Sequence, residues 1–163
     1  MSQHIKPMDR KPGAKVKFKQ GQFVPHNRHK YIGKLTEITY RSSWELKFMR
    51  WCDMNPSVVK WNSEGLIIPY FSQADGKHRR YYLDFIVQFQ THDGIQTMLV
   101  EIKPDGETRP PRRGKNEQRY LNALHTYQVN QDKWKHATEY AKSIGATFRV
   151  LTEYDLGIAK RKK

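Results

Sequence analysis

The feature that most constrains the fold is a series of short β-rich runs separated by tight turns. Two Asp-Gly pairs, Asp75-Gly76 and Asp93-Gly94, interrupt these runs. This dipeptide is a strong signal for a hairpin between antiparallel strands, because its residues accept the positive φ that the turn requires. The runs are SVVKW, LIIPYF, RRYYLDFIVQF and TMLVEIK. We therefore predict a meander of three or four antiparallel strands, in which RRYYLDFIVQF forms one continuous strand.

Helical patterns flank these strands. Ser42, followed three residues later by Glu45, matches a capping box, and Asn55-Pro56 provides a stop, so a helix is predicted between them. After the strands, apolar residues at helical spacing predict a helical region in two segments that ends at Gly145. These residues are Leu121 and Leu124 in the first segment and Trp134, Ala137, Ala141 and Ile144 in the second. A last strand, TFRVLTEYDL, completes a mixed α/β domain.

The charge of the chain points to a class of partner. Its 163 residues include 30 Lys and Arg against 16 Asp and Glu, a formal net charge of +14. Such an excess favours a polyanionic partner, with nucleic acid as the first candidate. The first 34 residues carry many cations and a single acid, Asp9, without a usable hydrophobic period. We predict a basic extension over residues 1–34, a domain over residues 35–157 and a basic tail over residues 158–163.

The cysteine count and the absence of long apolar runs exclude several classes of protein. Cys52 is the only cysteine, which excludes an intrachain disulfide and a zinc site built from several cysteines. No run approaches the roughly 18 apolar residues of a membrane span, and the N-terminus lacks the apolar core of a signal peptide. We expect a cytosolic protein with no membrane contact.

The strand TMLVEIK carries an acid and a base among apolar residues. Because side chains alternate along a strand, Glu101 and Lys103 share one face. In the preceding strand the same alternation places Asp84 on one face with Tyr82 and Ile86. The opposite face then carries Tyr81, Leu83, Phe85 and Val87. If the two strands pair through the second Asp-Gly turn, Asp84 and Glu101 come together near the end of the sheet.

Two carboxylates among apolar neighbours repel each other and call for a cation between them. A divalent metal with oxygen ligands suits this arrangement, and Mg²⁺ uses carboxylates, carbonyls, waters and substrate phosphates. Lys103 beside such a site would position the attacking water or neutralise charge on a phosphate, which predicts phosphodiester hydrolysis. The alternative is a buried ion pair without catalytic function, which is the commoner explanation of an isolated Glu-x-Lys.

Glu45 has two interpretations. It falls on the same helical stripe as Phe48, Met49 and Cys52, which would turn its carboxylate towards the interior. Alternatively, it only closes the capping box at the start of the helix. The local pattern does not decide between a functional acid and a cap.

The combination of these residues resembles a known nuclease pattern. Glu45, Leu83-Asp84 and Glu101-Ile102-Lys103 resemble the PD-(D/E)XK motif of restriction-endonuclease-like nucleases, with Leu83 at the position of the usual proline. The resemblance implies a mixed sheet flanked by helices. It also implies Asp84, Glu101 and the Ile102 carbonyl as ligands of Mg²⁺, for which Mn²⁺ would substitute. Lys103 is then the catalytic lysine, and Glu45 is a further catalytic acid near a second metal position.

Longer stretches narrow the resemblance. YRSSWELKFM, NPSVVKWNSE, IPYFSQADGKHRRYYLDFIV and VEIKP resemble the head completion nucleases of T-even-like tailed bacteriophages, over about residues 30–105. RSSWE is also similar to the endonuclease subunit of heteromeric transposases. The first resemblance implies a nuclease that acts on DNA at the packaged phage head in the host cytoplasm, with head or portal proteins as partners. Retention in the virion and a homodimer stay open, as do two alternatives: a transposase-type cutting subunit and a non-catalytic basic component of the head.

Several cations outside the motif are candidates for phosphate contacts, which give affinity without sequence information. Arg79 and Arg80 precede the Asp84 segment, and Lys133 lies on the predicted second helical segment. The loop after the Glu101 strand contributes Arg112, Arg113 and Lys115. Glu64 is a secondary candidate, either as an outer ligand of metal or water or as an acid that closes a turn.

Overall fold

The computed structural model describes residues 20–162, so the predictions for residues 1–19 and for Lys163 lie outside the described residues. The first elements are β1 (Gly21–Gln22), β2 (Thr39–Tyr40), α1 (Ser43–Met54), β3 (Val58–Ser63) and β4 (Ile67–Ser72). They are followed by β5 (Lys77–Tyr82), β6 (Phe85–Thr91), β7 (Gly94–Ile102), α2 (Glu117–Ser143) and β8 (Thr147–Leu151). Single 3-10 turns lie at Arg28–Lys30, Leu35–Glu37 and Asp105–Thr108.

The central sheet has four strands in the order β3-β6-β7-β8. β3 pairs antiparallel with β6, and β6 pairs antiparallel with β7 through the predicted turn at Asp93-Gly94. β8 pairs parallel with β7, with Leu99 opposite Phe148. A parallel pair needs a long crossover, and α2 provides it. The predicted mixed α/β class is confirmed.

Each face of this sheet is covered by one helix. The face towards α1 is built from Phe48, Met49 and Cys52 of the helix and Phe85, Val87 and Val100 of the sheet. The face towards α2 is built from Trp134, Ala137 and Ala141 of the helix, together with Tyr81, Leu83 and Leu99. Of the helices within residues 20–162, none is long and apolar enough to cross a bilayer.

The segment RRYYLDFIVQF is two strands, so the prediction of one continuous strand is wrong. β5 pairs with β4 in a separate two-stranded sheet. The strand is interrupted at Leu83-Asp84, called the β5–β6 break below, and β6 then begins in the central sheet. The predicted alternation fails across this break: Tyr81 and Leu83 pack on the α2 side, whereas Phe85 and Val87 pack on the α1 side. Each half buries its apolar residues against a different helix, which a uniform alternation cannot satisfy.

The predicted pair of helical segments is one helix of 27 residues. Neither Gly nor Pro occurs between its ends, so nothing in the sequence interrupts the backbone hydrogen bonds. Asn116 caps its start by accepting a hydrogen bond from the Arg119 backbone N–H. Gly145, at φ +71°, ends it as predicted, and the exposed Ile144 lies just beyond the last turn.

Residues 20–34 pack against the domain. β1 pairs with β2, and Phe23 is buried in the core on the α1 side. Lys30 is also buried, and its Nζ donates to the carbonyl oxygens of Asp53 and Asn55, at 2.9 and 2.7 Å, at the C-terminal end of α1. The predicted extension over residues 1–34 therefore contains a packed part. Its assignment stays a prediction for residues 1–19.

Candidate active site

Two buried carboxylates meet where the β5–β6 break faces the end of β7. Phe85 pairs with Val100, so Asp84 stands opposite Glu101 one position further along. Both side chains are buried, and Asp84 Oδ2 accepts a hydrogen bond of 2.9 Å from the Ile102 backbone N–H. The structure therefore brings Asp84 and Glu101 together, although Asp84 lies in the interruption between β5 and β6 and not within a continuous strand.

Tyr81 holds the second of these carboxylates. Its hydroxyl donates a hydrogen bond of 2.6 Å to Glu101 Oε2 in the interior. Burial, together with the negative charges of Glu101 and Asp84, raises the pKa of Tyr81 far above its usual range. The phenol therefore acts as a hydrogen-bond donor to Glu101. No sequence pattern predicted a role for Tyr81, because a continuous strand would have placed it on the face opposite Asp84.

Lys103 lies between the carboxylates and a large cleft. Its Nζ is 3.7 Å from Glu101 Oε1, and its side chain is 28% exposed. The cleft has a volume of about 640 Å³ and lies between the β4–β5 hairpin and α2. Its lining includes the basic or titratable residues His78, Arg79, Arg80, Lys103, His125 and Lys133. Asp75 is the single acid among the described residues that line it, and its Oδ2 is held by Arg79 Nε at 2.7 Å.

Glu45 acts as a cap at the start of α1. Its backbone N–H donates to Ser42 Oγ at 3.1 Å, and its Oε2 accepts from the Arg41 backbone N–H at 2.7 Å. The first contact satisfies a backbone donor of the first turn, whereas the second binds the residue before Ser42 and not the N–H of Ser42 itself, which the capping box would use. The cap does not exclude a second role, and the role of Glu45 as a catalytic acid stays a prediction.

Glu64 lies beside Asp84 in the turn after β3. Its φ of +56° is in the left-handed region, which is uncommon for a residue other than glycine. Its backbone N–H donates to the Asp84 carbonyl oxygen at 3.0 Å, so the turn and the β5–β6 break are tied together. Its carboxylate forms a two-point ion pair with Arg41, with Nε–Oε1 at 2.9 Å and Nη2–Oε2 at 3.3 Å.

Arg41 also belongs to the site, although no sequence pattern predicted a role for it. The hydrogen bond to Glu64 raises the pKa of Arg41, and the charges of Glu64, Glu45 and Asp84 act in the same direction. The guanidinium is therefore within electrostatic reach of all three carboxylates. The only local signal was its position directly before the Ser42 cap, which fixes where its backbone points but not its side-chain partner.

The cations predicted to bind DNA separate into two groups. Arg79, Arg80 and Lys133 line the cleft, and Lys133 Nζ lies 5.6 Å from the centre of the Tyr81 ring. Outside that lining, the exposed loop between β7 and α2 carries Arg112, Arg113 and Lys115. Arg113 stacks over Tyr120 at 4.9 Å, with Nη2 3.6 Å from Glu117 Oε1. The structure places the first group on the cleft that Lys103 also lines and leaves the second group outside that lining.

The oxygen donors at the site suit a hard divalent cation. The carboxylates of Asp84 and Glu101 and the carbonyl of Ile102 are the kind of ligands that Mg²⁺ takes, with waters and phosphate oxygens completing the shell. Within residues 20–162 there is no cluster of three or more His, Cys, Asp or Glu side chains arranged for a metal. The fit therefore depends on two carboxylates and a backbone carbonyl, together with oxygens from solvent and substrate.

Comparison with known proteins matches the chain to a family model and to a named relative. The sequence pattern of the family described as TnsA-like endonuclease N terminal matches residues 55–153, which include Asp84, Glu101 and Lys103. The head completion nuclease of Enterobacteria phage T4 is 44% identical to this chain over 138 residues, covering 82% of this chain and 90% of that relative. The chain belongs to the family of TnsA-like endonuclease N-terminal domains and has a restriction-endonuclease-like fold.

Proposed function

We propose that this protein is a Mg²⁺-dependent DNA endonuclease that acts in phage head completion. The observation that carries the proposal is the meeting of Asp84 and Glu101 beside Lys103, at the edge of a basic cleft. The T4 relative is named a head completion nuclease, and its alignment with most of this chain supports the same role here.

The chemistry follows from the placement of these groups. Asp84, Glu101 and the Ile102 carbonyl would hold Mg²⁺, which when bound polarises a phosphate and lowers the pKa of a water. Lys103 projects from the same face as Glu101 and lines the cleft, where its ammonium would orient the attacking water and offset charge that develops on the phosphate. Tyr81 fixes the Glu101 carboxylate from the opposite side.

The cleft is the proposed path of the DNA backbone. Arg79, Arg80 and Lys133 would contact phosphates beside the scissile bond, and the exposed loop with Arg112, Arg113 and Lys115 would contact phosphates further away. The reaction would take place in the host cytoplasm, at heads filled with DNA. Head or portal proteins are the proposed partners there, and the protein acts as a monomer or as a homodimer.

The family match favours a second candidate, a transposase-type DNA-cutting subunit. The coverage of the T4 relative, at 90% of its length, supports the head completion role more strongly. The non-catalytic alternative is less favoured, because a purely structural protein gains nothing from burying Asp84 and Glu101 side by side.

Metal removal tests the proposed activity. Supercoiled plasmid incubated with the protein and Mg²⁺ is expected to become nicked or linear, because hydrolysis needs the bound cation. EDTA should stop the reaction, excess Mg²⁺ should restore it, and Mn²⁺ should replace Mg²⁺. Cutting that persists in EDTA would contradict metal dependence. Tight DNA binding without cutting in either metal would favour the non-catalytic alternative.

The path of the DNA can be tested by its salt dependence. The double variant Arg80→Gln/Lys133→Gln removes two cations from the cleft, and each lost phosphate contact lowers the slope of log K against log salt by about 0.9. A slope reduced by about 2 is expected in fluorescence anisotropy with a short duplex. Arg50→Gln/Lys135→Gln, at exposed positions outside the cleft lining, is the matched control and should keep the original slope. Equal losses in both double variants would show that the cleft is not the DNA path.

A further inference from the structure

Arg41 links three elements that meet beside Asp84. Its backbone N–H binds the Glu45 carboxylate at the start of α1, at 2.7 Å. Its guanidinium binds both carboxylate oxygens of Glu64, in the turn between β3 and β4. The Glu64 backbone N–H in turn donates to the carbonyl oxygen of Asp84. One arginine therefore connects the Glu45 side of the site to the Asp84 side.

The conformation of Glu64 indicates that this ion pair is built into the fold. A turn residue at φ +56° would ordinarily be Gly or Asn, since other side chains are strained in the left-handed region. The Glu64 side chain is only 14% exposed at this position, and both of its carboxylate oxygens accept hydrogen bonds from Arg41. The planar fork of an arginine matches a carboxylate at two points, which lysine does not do.

The charges around the Arg41–Glu64 ion pair indicate how it affects metal binding at the site. The guanidinium of Arg41 binds Glu64 directly, the Arg41 backbone N–H binds Glu45, and the negative charges of Glu45 and Asp84 also act on the guanidinium. In sites with two metal ions, a second divalent ion supplies this positive charge. A second ion placed on the Glu45 side would face a fixed guanidinium and be repelled by it.

We propose that Arg41 is a positioning residue that sets the metal requirement of the site: held by Glu64, it provides the positive charge on the Glu45 side and limits the nuclease to one divalent ion. The proposal rests on the metal-dependent function proposed above. The proposal predicts a direction of change in divalent-metal affinity that a purely structural role of Arg41 does not produce. Loss of Arg41 strengthens divalent-metal binding even though it damages the network, and loss of the Glu64 charge weakens metal binding.

Mn²⁺ titration of the full chain, followed by electron paramagnetic resonance of the free ion, measures both affinity and stoichiometry. The wild-type protein should bind one Mn²⁺. Arg41→Met should bind the first ion on the order of tenfold more tightly, since a unit charge at short range in a partly buried site is worth at least that much, and should gain a second ion. Glu64→Gln should bind on the order of tenfold more weakly.

The remaining variants separate charge from structure. Arg41→Met/Glu64→Gln removes one charge of each sign, so its Mn²⁺ affinity should return to within about threefold of the wild-type value. Arg41→Lys keeps the charge and should bind one ion with near wild-type affinity. Arg50→Met, an identical change of charge at an exposed position on α1, should leave Mn²⁺ affinity unchanged. Thermal unfolding of each variant identifies any that fail to fold.

Three outcomes would overturn the proposal in distinguishable ways. Absence of Mn²⁺ binding by the wild-type protein would remove the metal-dependent function and this inference with it. One bound ion in the wild-type protein, with Mn²⁺ binding in Arg41→Met no tighter than in the wild-type protein, would leave the function standing and give Arg41 a structural role only. Two bound ions in the wild-type protein would show that Arg41 does not replace the second one.

Discussion

Replacing Lys103 by methionine is expected to lower the rate of plasmid cleavage by about a thousandfold, because a charge preorganised at the site of developing charge is worth about 10²–10³ in rate. Methionine keeps most of the apolar stem and removes only the ammonium, whose Nζ lies 3.7 Å from Glu101 Oε1. The separation of 3.7 Å is too long for a hydrogen bond, so the substitution breaks no hydrogen bond between Lys103 and Glu101. Single-turnover loss of supercoiled plasmid at saturating protein measures the chemical step.

Two controls give this result its meaning. Lys135→Met is the same substitution at an exposed position on α2 and should cleave at the wild-type rate. Lys103→Met should melt within a few degrees of the wild-type protein, and its DNA affinity should fall only by the loss of about one phosphate contact. A Lys103→Met protein that cuts within about tenfold of the wild-type rate would show that Lys103 and Glu101 form an ion pair without catalytic function.

The principal residues of the candidate site were predictable because they depend on local geometry. The Asp93-Gly94 turn fixes the register of β6 against β7, and this register alone places Asp84 opposite Glu101. Alternation along β7 then puts Lys103 on the same face as Glu101. These steps need only a strand, a turn and a neighbouring strand, and each of them leaves a signal in the sequence.

The supporting residues were not predictable, because their contacts depend on where the chain leaves one sheet for another. The break at Leu83-Asp84 turns Tyr81 towards Glu101, whereas a continuous strand would turn it away. The pairing of Arg41 with Glu64 joins positions 23 residues apart through a left-handed turn. Neither the interruption of the strand nor the ion pair leaves a periodic pattern in the sequence. Only the packed structure therefore reveals the contacts that hold the predicted residues in place.

The N-terminal packed segment was missed for a related reason: two of its buried anchors are polar. Asp53, 1% exposed at the end of α1, accepts hydrogen bonds of 2.9 Å from the backbone N–H groups of His26 and Asn27. Lys30 donates in the opposite direction to carbonyl oxygens of the same helix end. Hydrophobic periodicity cannot detect a segment held by one buried carboxylate and one buried ammonium.

Asp53→Ala is therefore expected to lower the free energy of unfolding by about 3 kcal/mol, since hydrogen bonds to a charged group are worth about 1.5–3 kcal/mol each and two are lost. The two N–H groups would be left without their acceptor, and the buried ammonium of Lys30 would lose a nearby negative charge. Urea unfolding followed by tryptophan fluorescence measures the change, and Trp61 of the same core reports on it.

The matched control is Glu139→Ala, which removes an exposed carboxylate from α2 and should change the free energy of unfolding by less than about 0.5 kcal/mol. A loss below about 1 kcal/mol in Asp53→Ala would mean that residues 26–30 contribute little to the stability of the core.

Because α1 carries Glu45 and the Ser42 cap at its other end, an intact helix is also required for the Arg41 contacts. Stability of the Asp53 anchor and geometry of the candidate site are thus coupled through one helix, and Asp53→Ala should lower the temperature at which cleavage is lost.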